Sequence, residues 1–205
     1  MRARRSSAGG AVVIALAIAL VSTSVSVAGT AVAPKPTAEI AARQMRPRPG
    51  SPPPRFGARI LLGSEAGPRV FINDEIGFAL AADDSATIPV RTTDGGRTWT
   101  VDGPQLHVDA ADGPEAVDAV GIVSPSEEFA YGSSVVDVTT NGGRTWWEAF
   151  LGENVTAVVP GAHGLVALVQ QSVSNSQLNP IVTWQYVSND GGRHWHDSTS
   201  FAVVG

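Results

Sequence analysis

The sequence predicts an all-β domain assembled from three copies of one unit. Three observations predict it: a glycine-paired turn motif that occurs three times, short apolar runs around each copy, and many turn formers (22 Gly and 14 Pro among 205 residues). The motif reads Thr92-Thr93-Asp94-Gly95-Gly96-Arg97-Thr98-Trp99, then Thr139-Thr140-Asn141-Gly142-Gly143-Arg144-Thr145-Trp146, then Ser188-Asn189-Asp190-Gly191-Gly192-Arg193-His194-Trp195. Asp94 and Asn141 are 47 residues apart, and Asn141 and Asp190 are 49 apart. A near-constant period of this size signals a repeat architecture.

Each unit carries the same elements in the same order. Two apolar runs come first, at 69–72 and 77–81, at 117–123 and 129–131, and at 155–159 and 165–169. The turns between them are marked by Asn73-Asp74-Glu75, by Ser124-Pro125-Ser126-Glu127 and by Pro160-Gly161-Ala162-His163-Gly164. A third run leads into the motif, at 88–92, 135–139 and 183–187, and a fourth leaves it through the Trp. Short runs with regular turn signals read as strands. Four strands per unit at this period fit a propeller blade.

The motif residues each suit a tight reversal. Gly96, Gly143 and Gly192 close glycine pairs that permit positive φ, which branched residues resist. Asp94, Asn141 and Asp190 offer acceptors to loop amides that lack a ladder partner. Thr92, Thr139 and Ser188 add a hydroxyl two positions earlier, and Thr98 and Thr145 a second one after the turn. Trp99, Trp146 and Trp195 are large apolar anchors for the outgoing strand. All of these jobs are structural.

These segments resemble the Asp-box, or BNR, repeat, Ser/Thr-x-Asp-x-Gly-x-Thr-Trp. Asn141 departs from it in place of the acid, and His194 in place of Thr. With Gly77-Phe78-Ala79, the wording is similar to photosystem II assembly-factor-like propellers and to the sialidase superfamily. The resemblance spans 58–205 and implies an incomplete β-propeller of about three four-stranded blades with Asp-box hairpins. In such families the boxes lie at the blade periphery, so the motif implies a fold without fixing a function.

The segments upstream have other compositions. Arg2, Arg4 and Arg5 precede an apolar run at 11–21, and Ser26-Val27-Ala28 supplies small residues, so 1–28 reads as a secretory signal peptide or an N-terminal anchor. Export places the remainder outside the cytoplasmic membrane, extracellular or at the cell surface. Residues 29–57 read as a proline-rich linker with room for a helical turn at 37–45. The repeat domain is 58–205. With no cysteine, disulfides and thiolate chemistry are excluded. The formal charge is −5; without the three leader arginines, 11 basic residues face 19 acidic ones, which gives −8. An acidic chain is a poor partner for nucleic acid.

No cofactor or metal is expected. A sialidase reading would require Phe/Tyr-Arg-Ile-Pro, a clamp of three arginines and a Tyr-Glu pair. Ile88-Pro89 lacks the Arg, and three of the later arginines (Arg97, Arg144 and Arg193) belong to the motifs. His194 and His196 project to one side of a strand but need a distant third ligand. Asp83, Asp84, Asp109, Asp112, Glu115 and Asp118 lie in or near turns. The favoured reading is an exported, non-catalytic binding or scaffold module for a protein or glycan, with loops at 106–115 and 170–180 as its surface. The competing one is a truncated or degenerate sialidase-like glycoside hydrolase. Three blades do not close an ordinary propeller, which leaves truncation, a distorted closure using 59–63 and 201–204, or self-association into a six-bladed ring. The apolar 201–204 reads as the first strand of a further blade.

Overall fold

The computed structural model describes residues 39–45, 55–60, 62, 67–83, 86–106, 117–152, 154–172 and 181–203. The signal segment 1–28 and most of both expected loops lie outside the described residues. The protein is all-β: fifteen strands form three five-stranded antiparallel sheets, with no helix among the described residues.

Each sheet is a four-stranded meander followed outward by one strand from the N-terminal segment. Sheet 1 comprises β4 (Arg69–Phe71), β5 (Gly77–Asp83), β6 (Ala86–Thr92) and β7 (Trp99–Val101), with β3 (Arg59–Ile60) at its outer edge. Sheet 2 comprises β8 (Ala119–Ser124), β9 (Glu127–Gly132), β10 (Val135–Thr139) and β11 (Trp146–Phe150), with β2 (Arg43–Gln44) outermost. Sheet 3 comprises β12 (Asn154–Gly161), β13 (Gly164–Ser172), β14 (Ile181–Ser188) and β15 (His194–Val203), with β1 (Ile40–Ala41) outermost. The four runs read in each repeat are therefore strands in the expected order.

Two expectations are corrected. Residues 39–45 hold no helical turn; the chain there is extended and part of the sheets. Ile40 lies opposite Trp195, and Arg43 opposite Glu148. Ala42 N donates to Arg193 O (2.7 Å) and Met45 N to Trp146 O (2.9 Å). Much of this short strap is backbone pairing, which hydrophobic periodicity does not report. The apolar stretch at 201–203 begins no further unit; it ends β15, where Phe201 pairs with Thr183 and Val203 with Ile181.

Register gives the repeats a common frame. Gly77, Glu128 and Leu165 lie opposite Thr92, Thr139 and Ser188 respectively. Because side chains alternate along a strand, the next positions share a face: Phe78, Phe129 and Val166, then Leu80, Tyr131 and Leu168. We call this the leading face. Phe78 and Leu80 of sheet 1 pack with Ala130, Val135 and Trp146 of sheet 2. Phe129 and Tyr131 of sheet 2 pack with Ala167, Val169, Trp184 and Trp195 of sheet 3. Small residues (Ala130, Ala167) thus receive large ones from the preceding sheet, so each junction interdigitates. The trailing face of sheet 1 (Ala79, Ala81, Ile88, Val90, Trp99, Val101) packs with Ile60 of the strand that edges it and with Ala58 and Leu62 beside that strand.

Candidate functional site

The three glycine-paired turns are closed on themselves. In the first, Thr92 Oγ1 accepts from Gly96 N (2.9 Å) and donates to Asp94 Oδ1 (2.8 Å). The Asp94 carboxylate accepts from Thr98 N (2.8 Å) and from Thr98 Oγ1 (2.7 Å). Those bonds, the Thr98 amide first, hold the Asp94 carboxyl down at about 2. In the second turn, Gly143 N donates to Thr139 Oγ1 (3.0 Å) and Thr145 N to Asn141 Oδ1 (2.9 Å), so the amide oxygen takes the carboxylate's place. In the third, Gly192 N donates to Ser188 Oγ (2.9 Å) and His194 N to Asp190 Oδ1 (2.9 Å). The His194 ring meets Asp190 Oδ2 at 2.6 Å, the same bond that Thr98 makes in the first turn. That bond raises the His194 pKa.

The glycines are required by both conformation and space. The paired φ values are 72° and 84°, 65° and 75°, and 72° and 80°. A Cβ on Gly143 would lie 1.8 Å from Asp102 O, and one on Gly192 would lie 2.5 Å from Val138 Cγ2. The second turn is therefore seated on sheet 1 and the third on sheet 2. The Trp residues are buried: Trp99, Trp146 and Trp195 are 4%, 1% and 0% exposed. The indoles of Trp99 and Trp195 donate to their own turns, at Gly96 O and Gly192 O, whereas Trp146 donates to Asp102 O of the preceding sheet (3.1 Å).

The structure does not bring the three turns into one site. Arg97 and Arg144 fold back onto Asp94 O (3.3 Å) and Asn141 O (3.1 Å), and Arg193 lies 5.3 Å from the Trp147 ring centre. They form no common clamp. His194 and His196 are both exposed, and among the described residues no three His, Asp or Glu side chains are placed to hold a metal. Asp118 is an exposed residue beside β8, while Asp84, Asp109, Asp112 and Glu115 lie outside the described residues.

One polar cluster was not anticipated. Arg91 of β6 reaches from the leading face of sheet 1 to Asp102 Oδ2 (Nε, 3.2 Å) and to Glu128 Oε1 of β9 (Nη2, 2.5 Å), and it donates to Pro125 O. Glu128 is 0% exposed and Asp102 5%. Burial first, then the neighbouring Asp102 carboxyl, push the Glu128 pKa up to about 9, against the pull of Arg91. Burial raises Asp102 as well. Repeat alignment marks only one member of this cluster, Arg91, which takes the position of Val138 and Val187; strand register then places Glu128 where sheet 3 has Leu165. A charge at a repeated apolar position points to a partner across a junction.

No protein-family model, curated protein or solved structure matches the chain.

Proposed function

We propose that the chain is an exported, non-catalytic binding or scaffold module of the Asp-box propeller type. Its three sheets are read as blades of an incomplete propeller, each completed at the rim by a strand from the N-terminal segment, and its turns as Asp-boxes. The observation that carries this reading is the saturation of the turns. Thr92, Asp94 and Thr98 bond to one another and to their own loop, as do Thr139 with Asn141 and Ser188 with Asp190 and His194. Side chains so engaged hold a corner rather than face a substrate. The carboxyl pair of Asp102 and Glu128 is sealed between sheets, whereas glycoside hydrolysis needs two acids that flank an accessible bond. Nothing at these sites favours the hydrolase alternative.

The partner we propose is a protein or a glycan, and the acidic composition argues against nucleic acid. The chain would act outside the cytoplasmic membrane. Self-association is the companion proposal. The leading face of sheet 3, equivalent to the faces that receive sheets 2 and 3, carries Val166, Leu168 and Val187, with Val159 and Ile181 exposed by 41% and 45%. Light scattering checks it: a second copy on this face gives twice the monomer mass, and a stable monomer at micromolar concentration ends the idea.

The functional reading itself is tested by incubating the folded protein with a panel of chromogenic glycosides, alongside crosslinking in the native envelope. We expect no turnover and a specific crosslinked partner. Turnover that disappears when one carboxylate is replaced would overturn it.

A further inference from the structure

We propose that the junction between sheets 1 and 2 is a proton-operated latch, in which Asp102 and Glu128 share one proton beside the partly buried Arg91 guanidinium, and loss of that proton loosens sheet 1 from sheet 2. The inference does not depend on the functional reading above. Three observations carry it.

First, the cluster is a substitution of chemistry at a repeated place. Counting from the turns, Arg91, Asp102 and Glu128 correspond to Val138, Ala149 and Leu165 at the junction of sheets 2 and 3. Those three residues are 0%, 0% and 1% exposed and belong to one apolar cluster. The same geometry is therefore satisfied elsewhere in this chain without any charge. A buried ion cluster is seldom the more stable solution, since desolvation offsets the Coulombic gain. Its presence at one junction makes that junction sensitive to something the other ignores.

Second, the charges do not balance when all three groups are ionised. Two carboxylates face one guanidinium, leaving a net negative charge in a largely buried site, and Asp137 and Glu148, also buried, lie on the same face of sheet 2 as Glu128. Arg144, exposed on the turn of sheet 2, is the other cation acting on Asp102. Third, Glu128 Oε2 is buried and meets no hydrogen-bond donor. A carboxylate oxygen there is an orphan acceptor, but a protonated one becomes a donor to the neighbouring Asp102 carboxylate. One proton thus satisfies the orphan atom and neutralises the cluster together. When it departs to solvent, two like charges remain in contact.

The sign follows from linkage. Glu128 keeps its proton in the folded state and loses it in the unfolded chain above the ordinary carboxyl range, so the folded state binds more protons between about pH 5 and about pH 9. Stability is full at the acidic end and declines as pH rises through that window. The test is denaturant unfolding of the full chain from pH 5 to pH 9, with infrared detection of a protonated carboxyl. We expect the folding constant of the wild type to fall with pH, at most about tenfold per unit. Glu128→Gln keeps a donor towards Asp102 and should remove the Glu128 share of that dependence together with the carboxyl band, leaving the shallower slope that the exposed His194, its own pKa raised by Asp190, contributes. Should that variant fail to fold, the triple change Arg91→Val, Asp102→Ala and Glu128→Leu copies the apolar junction and should likewise keep only the shallower His194 slope. A pH slope in the variants equal to that of the wild type, or no protonated carboxyl at neutral pH, overturns the proposal.

Discussion

At the residue scale, one hydroxyl decides whether each turn closes. Thr92 is 1% exposed, and its Oγ1 is the acceptor of Gly96 N and also the donor to Asp94. Thr92→Val keeps the shape and removes these bonds and that from Asp94 N, stranding a partly buried amide. We expect a loss of about 1–3 kcal/mol, read from the denaturant midpoint; a change within error would mean that the hydroxyl does not hold the turn. The exchange of Thr98 for His194 in the third turn shows what the motif conserves physically. An imidazole and a hydroxyl both reach the second oxygen of the Asp, at 2.6 Å and 2.7 Å. These roles were legible from residue types and spacing, because each belongs to a local loop. Arg91, Asp102 and Glu128 were not, because their meeting joins positions 11 to 37 residues apart through the stacking of two sheets.

At the element scale, the strands of the three meanders were legible, since apolar alternation and turn residues mark them. The rim strands β1 and β2 were missed, whereas 59–63, which holds β3, was among the expected closing strands. Residues 39–45 sit in a proline-rich context and their apolar residues show no clean alternation, yet Ile40 packs into the core of sheets 2 and 3 and Met45 into that of sheets 1 and 2. Arg43 binds the Glu148 carboxylate, whose side chain is 3% exposed. The strap covers strand edges that would otherwise pair with other chains. Ala42→Pro deletes the amide that bonds Arg193 O at 2.7 Å. We expect this variant to be cut rapidly by protease within 39–45 while the meanders stay folded. Cleavage no faster than in the wild type would show that the strap is held by other contacts.

At the scale of the whole molecule, an all-β chain of three sheets is what the turn period and strand count led us to expect, with five strands per sheet in place of four. The leading and trailing faces could not be assigned from sequence, because register, which sets which side chains share a face, depends on pairing between strands. With register known, the same rule places Phe78 against sheet 2 and Phe129 against sheet 3. The central claim is that the three glycine-paired turns are equivalent closed corners of one repeated unit. Amide hydrogen exchange at Gly96, Gly143 and Gly192 tests it most directly, since each donates to the hydroxyl that opens its own turn, at 2.9, 3.0 and 2.9 Å. We expect all three amides to exchange as slowly as the adjoining ladder; exchange at the rate of an open loop in any of them would contradict the equivalence.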